Sequence, residues 1–294
     1  MAKKKSKKSK KDTKAASARS MSDALRVTSG FRLADLDPAA KTGFSGKKKD
    51  AEKVVASMRD EIDDLQERLY AGGRDGDGPA ILLVVQGMDT AGKGGIMRHV
   101  VGSVDPQGVQ LHAFKAPNAE ERRHPFLWRI RRALPAPGYI GVFDRSHYED
   151  VLIVRVHDLV APSTWGRRYA QINKFERSAN ENGIHLIKVM LHVSEDEQKA
   201  RLAERLDRPD KYWKFNPGDI DEREFWDAYQ EAYQAVLDRT STDENPWYVV
   251  PADRKWYARL AVQQLLLDKL RELDLGWPDA EFDVAEQKKR LAAT

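Results

Sequence analysis

The chain has 294 residues, of which 41% are apolar, 33% are charged and none is cysteine, and its net charge is +4. This length and composition favour one large globular domain with an N-terminal extension, and the lack of cysteine excludes disulfides and thiolate metal sites. The longest apolar run, Ala80 to Val85, is far shorter than the roughly 20 residues of a membrane-spanning helix, and no apolar signal-peptide stretch follows the basic start, so we expect a cytoplasmic protein without membrane association.

The positive charge is concentrated at the N-terminus. Residues 1–14 hold eight lysines and one aspartate and contribute +7, so the remaining chain carries about −3. Because this Lys/Ser-rich start has no apolar face, we predict a disordered tail over residues 1–35 and a globular domain over residues 36–294. The tail is either an electrostatic hook for a polyanion or a solvated appendage.

The first periodic segment runs from Asp50 to Tyr70, where apolar residues recur at three- and four-residue spacing and predict an amphipathic helix. The glycine-rich run 71–79 ends it, and five short apolar segments follow, separated by longer stretches of helical pattern. Strands that alternate with helices predict a parallel sheet in a three-layer α/β/α sandwich. The predicted strands are Ala80–Gln86, Val109–Phe114, Tyr139–Phe143, Ile184–Val193 and Trp247–Val250.

A glycine-rich loop follows the first predicted strand, in the segment GMDTAGKGG at residues 87–95. Its spacing, Gly87-x-x-x-x-Gly92-Lys93, lets successive backbone N–H groups point at a phosphate, while the lysine reaches the outer phosphates. The spacing alone is a weak signal, but the buried-type strand before the loop and the amphipathic helix after it strengthen the prediction. The loop residues that we expect at the phosphate are Gly87, Thr90, Ala91, Gly92, Lys93, Gly94 and Gly95.

Two residues of this loop depart from the common pattern. Gly94 stands where such loops usually place the serine or threonine that binds magnesium, and Asp89 lies inside the loop. A carboxylate would repel phosphate unless a cation lay between them, so Asp89 predicts a bound Mg²⁺. The alternative is that the Asp89 side chain caps the following turn.

A second carboxylate, Asp144, directly follows the third predicted strand, and Arg145 comes next. A strand-end aspartate can simply begin a helix, with Ser146 as a rival N-cap. Because strand, aspartate and arginine occur together in a chain with a phosphate loop, we favour metal and phosphate binding. The residues that we assign to catalysis are Asp89, Lys93, Asp144 and Arg145, and the two aspartates are also the predicted metal ligands.

Residues 118–135 are rich in arginine. If they form one helix, Arg122, Arg129 and Arg132 share a face, and guanidinium forks bind phosphate oxygens in pairs. Single arginines would be ordinary surface, whereas three on one face favour phosphate binding.

A basic segment that surrounds Tyr212 and Trp213 lies at residues 200–223. In kinases with this type of loop, a segment between the last two core strands folds over the donor, excludes water and delivers cations. We therefore predict a helical lid at about residues 198–225, although a surface helix and loop would have a similar composition. The lid cations expected to bind phosphate are Arg201, Arg205, Arg208, Lys211 and Lys214.

In their order and spacing, these segments resemble the polyphosphate kinase 2 family, whose members use inorganic polyphosphate to phosphorylate nucleotides. The resemblance covers about residues 35–275. It rests on GMDTAGKGG (87–95), EERRHPFLWRIRRALPAPGYIGVFDRSHYEDVLIVRVH (120–157), RLAERLDRPDKYWKFNPGD (201–219) and NPWYVVPADRKWYARLAV (245–262). The family's own loop has aspartate at the position of Asp89 and glycine at that of Gly94.

The resemblance implies a P-loop kinase-like fold and a Mg²⁺-dependent phosphoryl transfer between polyphosphate and a nucleotide, AMP, ADP or GDP. Asp89 and Asp144 would organise Mg²⁺ and the transferring group, and the arginine-rich segments would bind the polyanion. The segment SHYEDVL (146–152) is similar to the subgroup that acts on adenine nucleotides, although many relatives have Trp at the position of His147 and the subgroup often has Asn at that of Asp144. The resemblance also implies a homo-oligomer, either a dimer or a tetramer.

Two rival functions share parts of this pattern. An ATP-dependent nucleoside or nucleotide kinase would have the same loop, lid and fold and would differ only in its donor. A nucleic-acid-binding protein recruited by the lysine tail fits less well, because the domain is acidic and has no recognition helix or aromatic platform. We expect no specific nucleic-acid partner.

Overall fold

The computed structural model describes residues 20–294, which are built around a five-stranded parallel sheet. The strand order is β2-β3-β1-β4-β5, and the strands are β1 (Ala80–Gly87), β2 (Val109–Ala113), β3 (Ile140–Asp144), β4 (Ile184–His192) and β5 (Trp247–Pro251). Every observed strand begins and ends within one residue of its predicted bounds. The prediction of a parallel sheet is therefore confirmed.

Helices cover both faces of this sheet. They are α1 (Met21–Leu25), α2 (Lys48–Ser57), α3 (Arg59–Gly72), α4 (Lys93–His99), α5 (Trp128–Arg132), α6 (Ile153–Val156), α7 (Pro162–Glu181), α8 (Glu195–Asp207), α9 (Gly218–Asp221), α10 (Trp226–Thr240), α11 (Lys255–Glu272) and α12 (Val284–Ala292). None of the helices within residues 20–294 combines the length and the apolar character that crossing a bilayer requires.

The central strand β1 is buried on both faces. Ile81, Leu83 and Val85 belong to one apolar cluster, which includes residues of α2, α3, α4 and α11. The alternate residues Leu82 and Val84 belong to a second cluster, which includes residues of α7 and α10. Successive side chains of a strand point to opposite faces, so helices pack on both sides of the sheet, as the continuous apolar sequence of β1 predicted.

The helix predicted from Asp50 to Tyr70 consists of two consecutive helices, α2 and α3. They meet at Met58, whose side chain is buried. The Met58 N–H donates to Val54 O at 3.2 Å, and the Ile62 N–H donates to Met58 O at 3.0 Å. Hydrogen bonding therefore continues across the junction, and the prediction of a helical segment with a buried face is confirmed.

Residues 20–35 pack against the domain, although they were predicted to belong to the disordered tail. Leu25 is only 3% exposed, and the Val27 N–H donates to Trp247 O at 2.8 Å, at the outer edge of β5. The predicted boundary was wrong for this segment, because its few apolar residues have a sheet edge and a core to bury against. The rest of the predicted tail, residues 1–19, lies outside the described residues.

Candidate active site

The phosphate loop leaves β1 at the centre of the sheet, between β3 and β4. In parallel sheets, ligands bind beyond the carboxyl ends of the strands, where the strand order reverses. Gly87 has φ +153°, and a Cβ there would lie 2.8 Å from Leu191 O of the neighbouring strand. Gly92 has φ +117°, a backbone conformation that side chains rarely adopt. Gly87 therefore allows the loop to lie close against β4, and Gly92 allows the left-handed turn from which α4 begins.

Lys93 begins α4 and folds back over the loop. Its Nζ donates to Gly87 O at 2.5 Å and to Met88 O at 3.2 Å. Burial lowers the pKa of Lys93, and the nearby Asp89 carboxylate opposes this effect. The ammonium lines the cavity beside the loop, where phosphate oxygens could replace the two carbonyls as its partners.

Asp89 pairs with Arg145 across the mouth of the loop. The Arg145 Nη2 donates to Asp89 Oδ1 at 3.0 Å. Burial raises the pKa of Asp89, but the charges of Lys93 and Arg145 outweigh it and hold the pKa below its ordinary value, so the carboxylate is ionised. Arg145 and Thr90 both have left-handed backbone, with φ of +64° and +63°. Such strain in non-glycine residues persists where the surrounding structure enforces it, often at functional sites.

Asp144 ends β3 beside the phosphate loop. It lies next to Val85 of β1 in the strand register, two residues before Gly87, and it lines the same cavity as Asp89. Within residues 20–294, no group of three or more His, Asp or Glu side chains forms a metal cage. Mg²⁺ is typically held by one or two carboxylates together with substrate phosphates, so these two aspartates fit a metal ion that binds with phosphate.

Two cavities of different character meet at Asp89 and Arg145, which line both. The larger has a volume of about 760 Å³ and is lined by ten lysine and arginine side chains and three carboxylates. The smaller has a volume of about 250 Å³ and is lined by four carboxylates and one arginine, together with Met88, Tyr229 and Tyr233. One side of the site is therefore strongly cationic, and the other is acidic and partly aromatic.

Four of the predicted lid cations line the larger cavity, namely Arg201, Arg205, Lys211 and Lys214. They come from α8 and from the 3-10 turn Pro209–Lys214 that follows it. Arg205 also pairs with Asp219, at 3.0 Å, and Asp219 lines the smaller cavity. The segment therefore borders the site, and four of its five predicted cations line the larger cavity.

Two of the lid arginines have different roles from those predicted. Arg201 donates to the carbonyl oxygens of Thr90 and Ala91 in the phosphate loop, at 2.9 and 3.1 Å, and its remaining N–H groups bond to Ala252 O, Asp253 O and Glu197. All of its donors are occupied, so it positions the loop and has none left for phosphate. Arg208 is exposed, pairs with Asp210 at 2.8 Å and does not line either cavity.

The single arginine helix predicted over residues 118–135 is wrong. The segment forms a 3-10 turn, Glu121–Arg123, and the short helix α5, with Pro125 between them. Proline has no N–H to continue a helical ladder, and it disfavours helical backbone in the residue before it. Arg122 therefore does not share a helix face with Arg129 and Arg132.

None of the three arginines predicted to bind phosphate in this segment lines either cavity. Arg122 donates to Pro117 O at 2.6 Å, Arg129 donates to Lys115 O at 2.7 Å, and Arg132 lies 4.8 Å from the centre of the Trp128 ring. Arg129 acts on the site indirectly, because it fixes the backbone of Lys115, which lines the larger cavity.

Several cations of the larger cavity were not predicted. They are Arg98, Lys115, Lys255 and Arg259, which follow the carboxyl ends of β1, β2 and β5 along the chain. The signal that could have found them is position: basic residues shortly after different parallel strands gather at one edge of the sheet. Glu149 of the smaller cavity was also missed, and burial raises its pKa while Arg145 opposes the shift.

A buried charged network lies beneath the loop that carries Arg145. Lys188 of β4 donates to Glu176 of α7 at 2.7 Å, and the Tyr148 hydroxyl donates to the other oxygen of Glu176 at 2.6 Å. His147 Nε2 lies 3.2 Å from Glu176. All four side chains are fully buried. The network therefore anchors His147 and Tyr148, which lie two and three residues after Arg145.

The chain matches the family described as Polyphosphate kinase 2 over residues 45–275. It is 42% identical over 251 residues to the AMP/ADP-polyphosphate phosphotransferase of Meiothermus ruber, a match that covers 85% of this chain and 92% of that protein. It is also 42% identical over 248 residues to the ADP-polyphosphate phosphotransferase of Rhodopseudomonas palustris, covering 80% of this chain and 84% of that protein.

A solved structure is similar over almost the whole chain. The crystal structure of polyphosphate kinase 2 from Arthrobacter aurescens superposes with a TM-score of 0.92 at 53% sequence identity, and the match covers 94% of this chain and 98% of that chain. The predicted P-loop kinase-like α/β/α fold is therefore confirmed.

Proposed function

The chain belongs to the polyphosphate kinase 2 family, and we propose that it transfers a phosphoryl group between inorganic polyphosphate and AMP or ADP. The observation that carries the proposal is the meeting of two oppositely charged cavities at Asp89 and Arg145. A polyanion needs a long cationic surface, which supports the larger cavity as the polyphosphate site. The mixed aromatic and polar lining of the smaller cavity supports it as the nucleotide site.

The transfer from polyphosphate exchanges one P–O bond for another. An oxygen of the acceptor's terminal phosphate attacks the terminal phosphorus of the polyphosphate, and the bond from that phosphorus to the rest of the chain breaks. The shortened chain leaves with the electron pair. Because the transition state is loose, alignment and charge stabilisation supply most of the catalysis. Lys93 and Arg145, which flank Asp89, would stabilise the charge of the transferring group.

Asp89 and Asp144 are the residues that would hold Mg²⁺. When bound, the ion neutralises charge between the donor and acceptor phosphates. The ionised state of Asp89 supports this role, because a protonated carboxyl is a poor metal ligand. Activity that is abolished by a chelator and restored by Mg²⁺ would support the assignment, and activity unaffected by a chelator would contradict it.

A donor-by-acceptor matrix tests the function. Polyphosphate or ATP is offered as the donor, and AMP, ADP, GMP or GDP as the acceptor, each with Mg²⁺. We expect polyphosphate to support ATP formation from ADP, and a reaction without polyphosphate corrects for exchange between two ADP molecules. If only ATP serves as a donor, the protein is an ATP-dependent nucleotide kinase.

Two further predictions have different origins. From the lack of cysteine we infer a cytoplasmic location, which cell fractionation tests. From the family resemblance we infer a homo-oligomer, a dimer or a tetramer, which light scattering after gel filtration tests. A monomer at micromolar concentration would contradict the second inference.

A further inference from the structure

One carboxylate in the larger cavity has no apparent part in metal binding. Of the described side chains that line this cavity, the carboxylates are Asp89, Asp144 and Glu204. The first two flank the phosphate loop, where a cation can separate them from phosphate. Glu204 lies on α8, three residues after Arg201, which binds the carbonyls of the loop. Residues three apart share a helix face and are about 4.5 Å apart along the axis, so Glu204 lies nearly one turn further along α8.

Cations from three elements pair with Glu204. Lys211 of the lid turn donates to Glu204 Oε1. Arg208, at the end of α8, lies 3.4 Å from the same oxygen, and Lys255, at the start of α11, lies 3.4 Å from Oε2. Hydrogen bonding from Lys211, together with the charge of Lys255, lowers the pKa of Glu204 to about 2. The side chain therefore carries a full negative charge at neutral pH.

This cluster is poorly suited to a purely stabilising role. The Glu204 side chain is 40% exposed, and solvent-exposed ion pairs contribute little to stability. Two of its partners, Lys211 and Lys255, line the cavity. A bound polyanion therefore needs the same cations that Glu204 holds, and its phosphates are repelled by the carboxylate.

We propose that Glu204 competes with polyphosphate for Lys211 and Lys255. Its carboxylate pairs with these two lysines until the polyanion displaces it, and so limits how tightly the larger cavity binds polyphosphate. This proposal rests on polyphosphate being the ligand of the larger cavity. Interactions that bind substrate and transition state equally lower KM without raising kcat. Weaker binding releases the shortened polyphosphate sooner. Glu204 therefore lowers the affinity for polyphosphate and favours release of the product.

The test is Glu204→Gln, which removes the charge and keeps the shape. One unit charge about 6 Å from a phosphate in bulk water changes affinity about 3-fold, and more in a partly desolvated groove. We therefore expect the KM and the Kd for long-chain polyphosphate to fall at least about 3-fold, with no increase in kcat. Binding is measured by calorimetry without nucleotide, and its salt dependence should steepen, because one more net positive charge faces the polyanion.

The matched control is Asp207→Asn. Asp207 lies on the same helix, and the change removes the same charge, but within residues 20–294 Asp207 forms no ion pair and does not line the cavity. We expect its KM and Kd to stay at the wild-type values. Glu204→Asp, which keeps the charge, should not tighten binding either, and thermal unfolding of each variant verifies that it is folded.

The outcomes separate this proposal from the proposed function. If Glu204→Gln binds polyphosphate no more tightly than wild type, or if Asp207→Asn tightens binding equally, Glu204 is not a competitor. If the wild-type protein forms no ATP from polyphosphate and ADP, the proposed function fails whatever the variants do.

Discussion

Replacement of Lys188 by methionine removes a buried charge while keeping most of the side-chain length. Lys188 and Glu176 are both 0% exposed, and Lys188 Nζ lies 2.7 Å from Glu176 and 2.7 Å from Thr240 O. Breaking a buried pair by removing one partner typically costs about 3–5 kcal/mol, because the other charge stays buried without compensation. The free energy of unfolding of a domain is about 5–15 kcal/mol. We therefore expect Lys188→Met to lose a large part of its stability.

Urea denaturation followed by tryptophan fluorescence measures this loss. The double variant Glu176→Gln/Lys188→Met should be more stable than the single variant, because it leaves no unpaired carboxylate at position 176. The exposed pair Arg271–Glu61 gives a matched comparison, since its distance is a similar 2.6 Å while its side chains are 50% and 44% exposed. We expect Glu61→Gln to cost at most about 1 kcal/mol.

The pH dependence gives a second measure of the same effect. In the wild type, burial raises the pKa of Glu176, but Lys188 and His147 together outweigh this and hold the pKa below its ordinary value. Without Lys188, burial should raise the pKa above that of the unfolded chain. A carboxyl with a raised pKa favours the folded state at low pH and loses that contribution as pH rises, so Lys188→Met should be more destabilised at pH 8 than at pH 5. If Lys188→Met loses no more free energy of unfolding than Glu61→Gln, at pH 5 and at pH 8, the reasoning is refuted.

Three further predictions concern the site and the core. Asp89→Asn should lower kcat by about 10²–10³-fold, as loss of one preorganised electrostatic contact does, with unchanged thermal unfolding; retained activity would remove Asp89 from the chemistry. Arg98 lies five residues after Lys93, about 7.5 Å along α4, so Arg98→Ala should raise KM for long polyphosphate more than for short chains, and equal increases would contradict this placement. Burial lowers the pKa of His192, against a smaller opposing effect of Asp253. The free energy of unfolding should therefore fall as pH drops below about 6.5. His192→Asn should flatten that pH dependence in urea titrations, and an unchanged slope would exclude His192 as its source.

The sequence predicted the sheet well because four of its five strands, β1, β3, β4 and β5, are largely buried, whereas the edge strand β2 is partly exposed. In a chain where such runs alternate with helical patterns, a continuous apolar run such as Ala80–Gln86 is typical of a central strand in a parallel sheet. The phosphate loop was predictable for the same reason, since Gly87, Gly92 and Lys93 follow such a run at a spacing that the chemistry requires. Asp144 could be added because it ends a strand, and Asp89 because it lies inside the loop.

Side-chain partners were harder to predict, because a residue type does not reveal which atom it will bond. Arg201 has the composition and position of a phosphate ligand, yet its five donors hold the protein's own carbonyls and one carboxylate. Arg122 and Arg129 lost their predicted face when Pro125 divided the segment. Only the folded chain decides whether an arginine faces a substrate or the backbone.

Buried charge was also invisible in the sequence. Lys188 lies in the middle of an apolar strand, and its partner Glu176 lies twelve residues earlier on a helix that the strand packs against. No periodicity relates the two residues. Residues 20–35 were misassigned for a similar reason, since their burial depends on a sheet edge formed by residues more than 200 positions away.

The most direct measurement is the formation of ATP from polyphosphate, Mg²⁺ and ADP as the only nucleotide, followed together with the shortening of the polyphosphate. The proposed transfer between two cavities predicts one ATP for each phosphate that the chain loses, well above a control without polyphosphate. No ATP above that control, or phosphate loss without ATP, would contradict it.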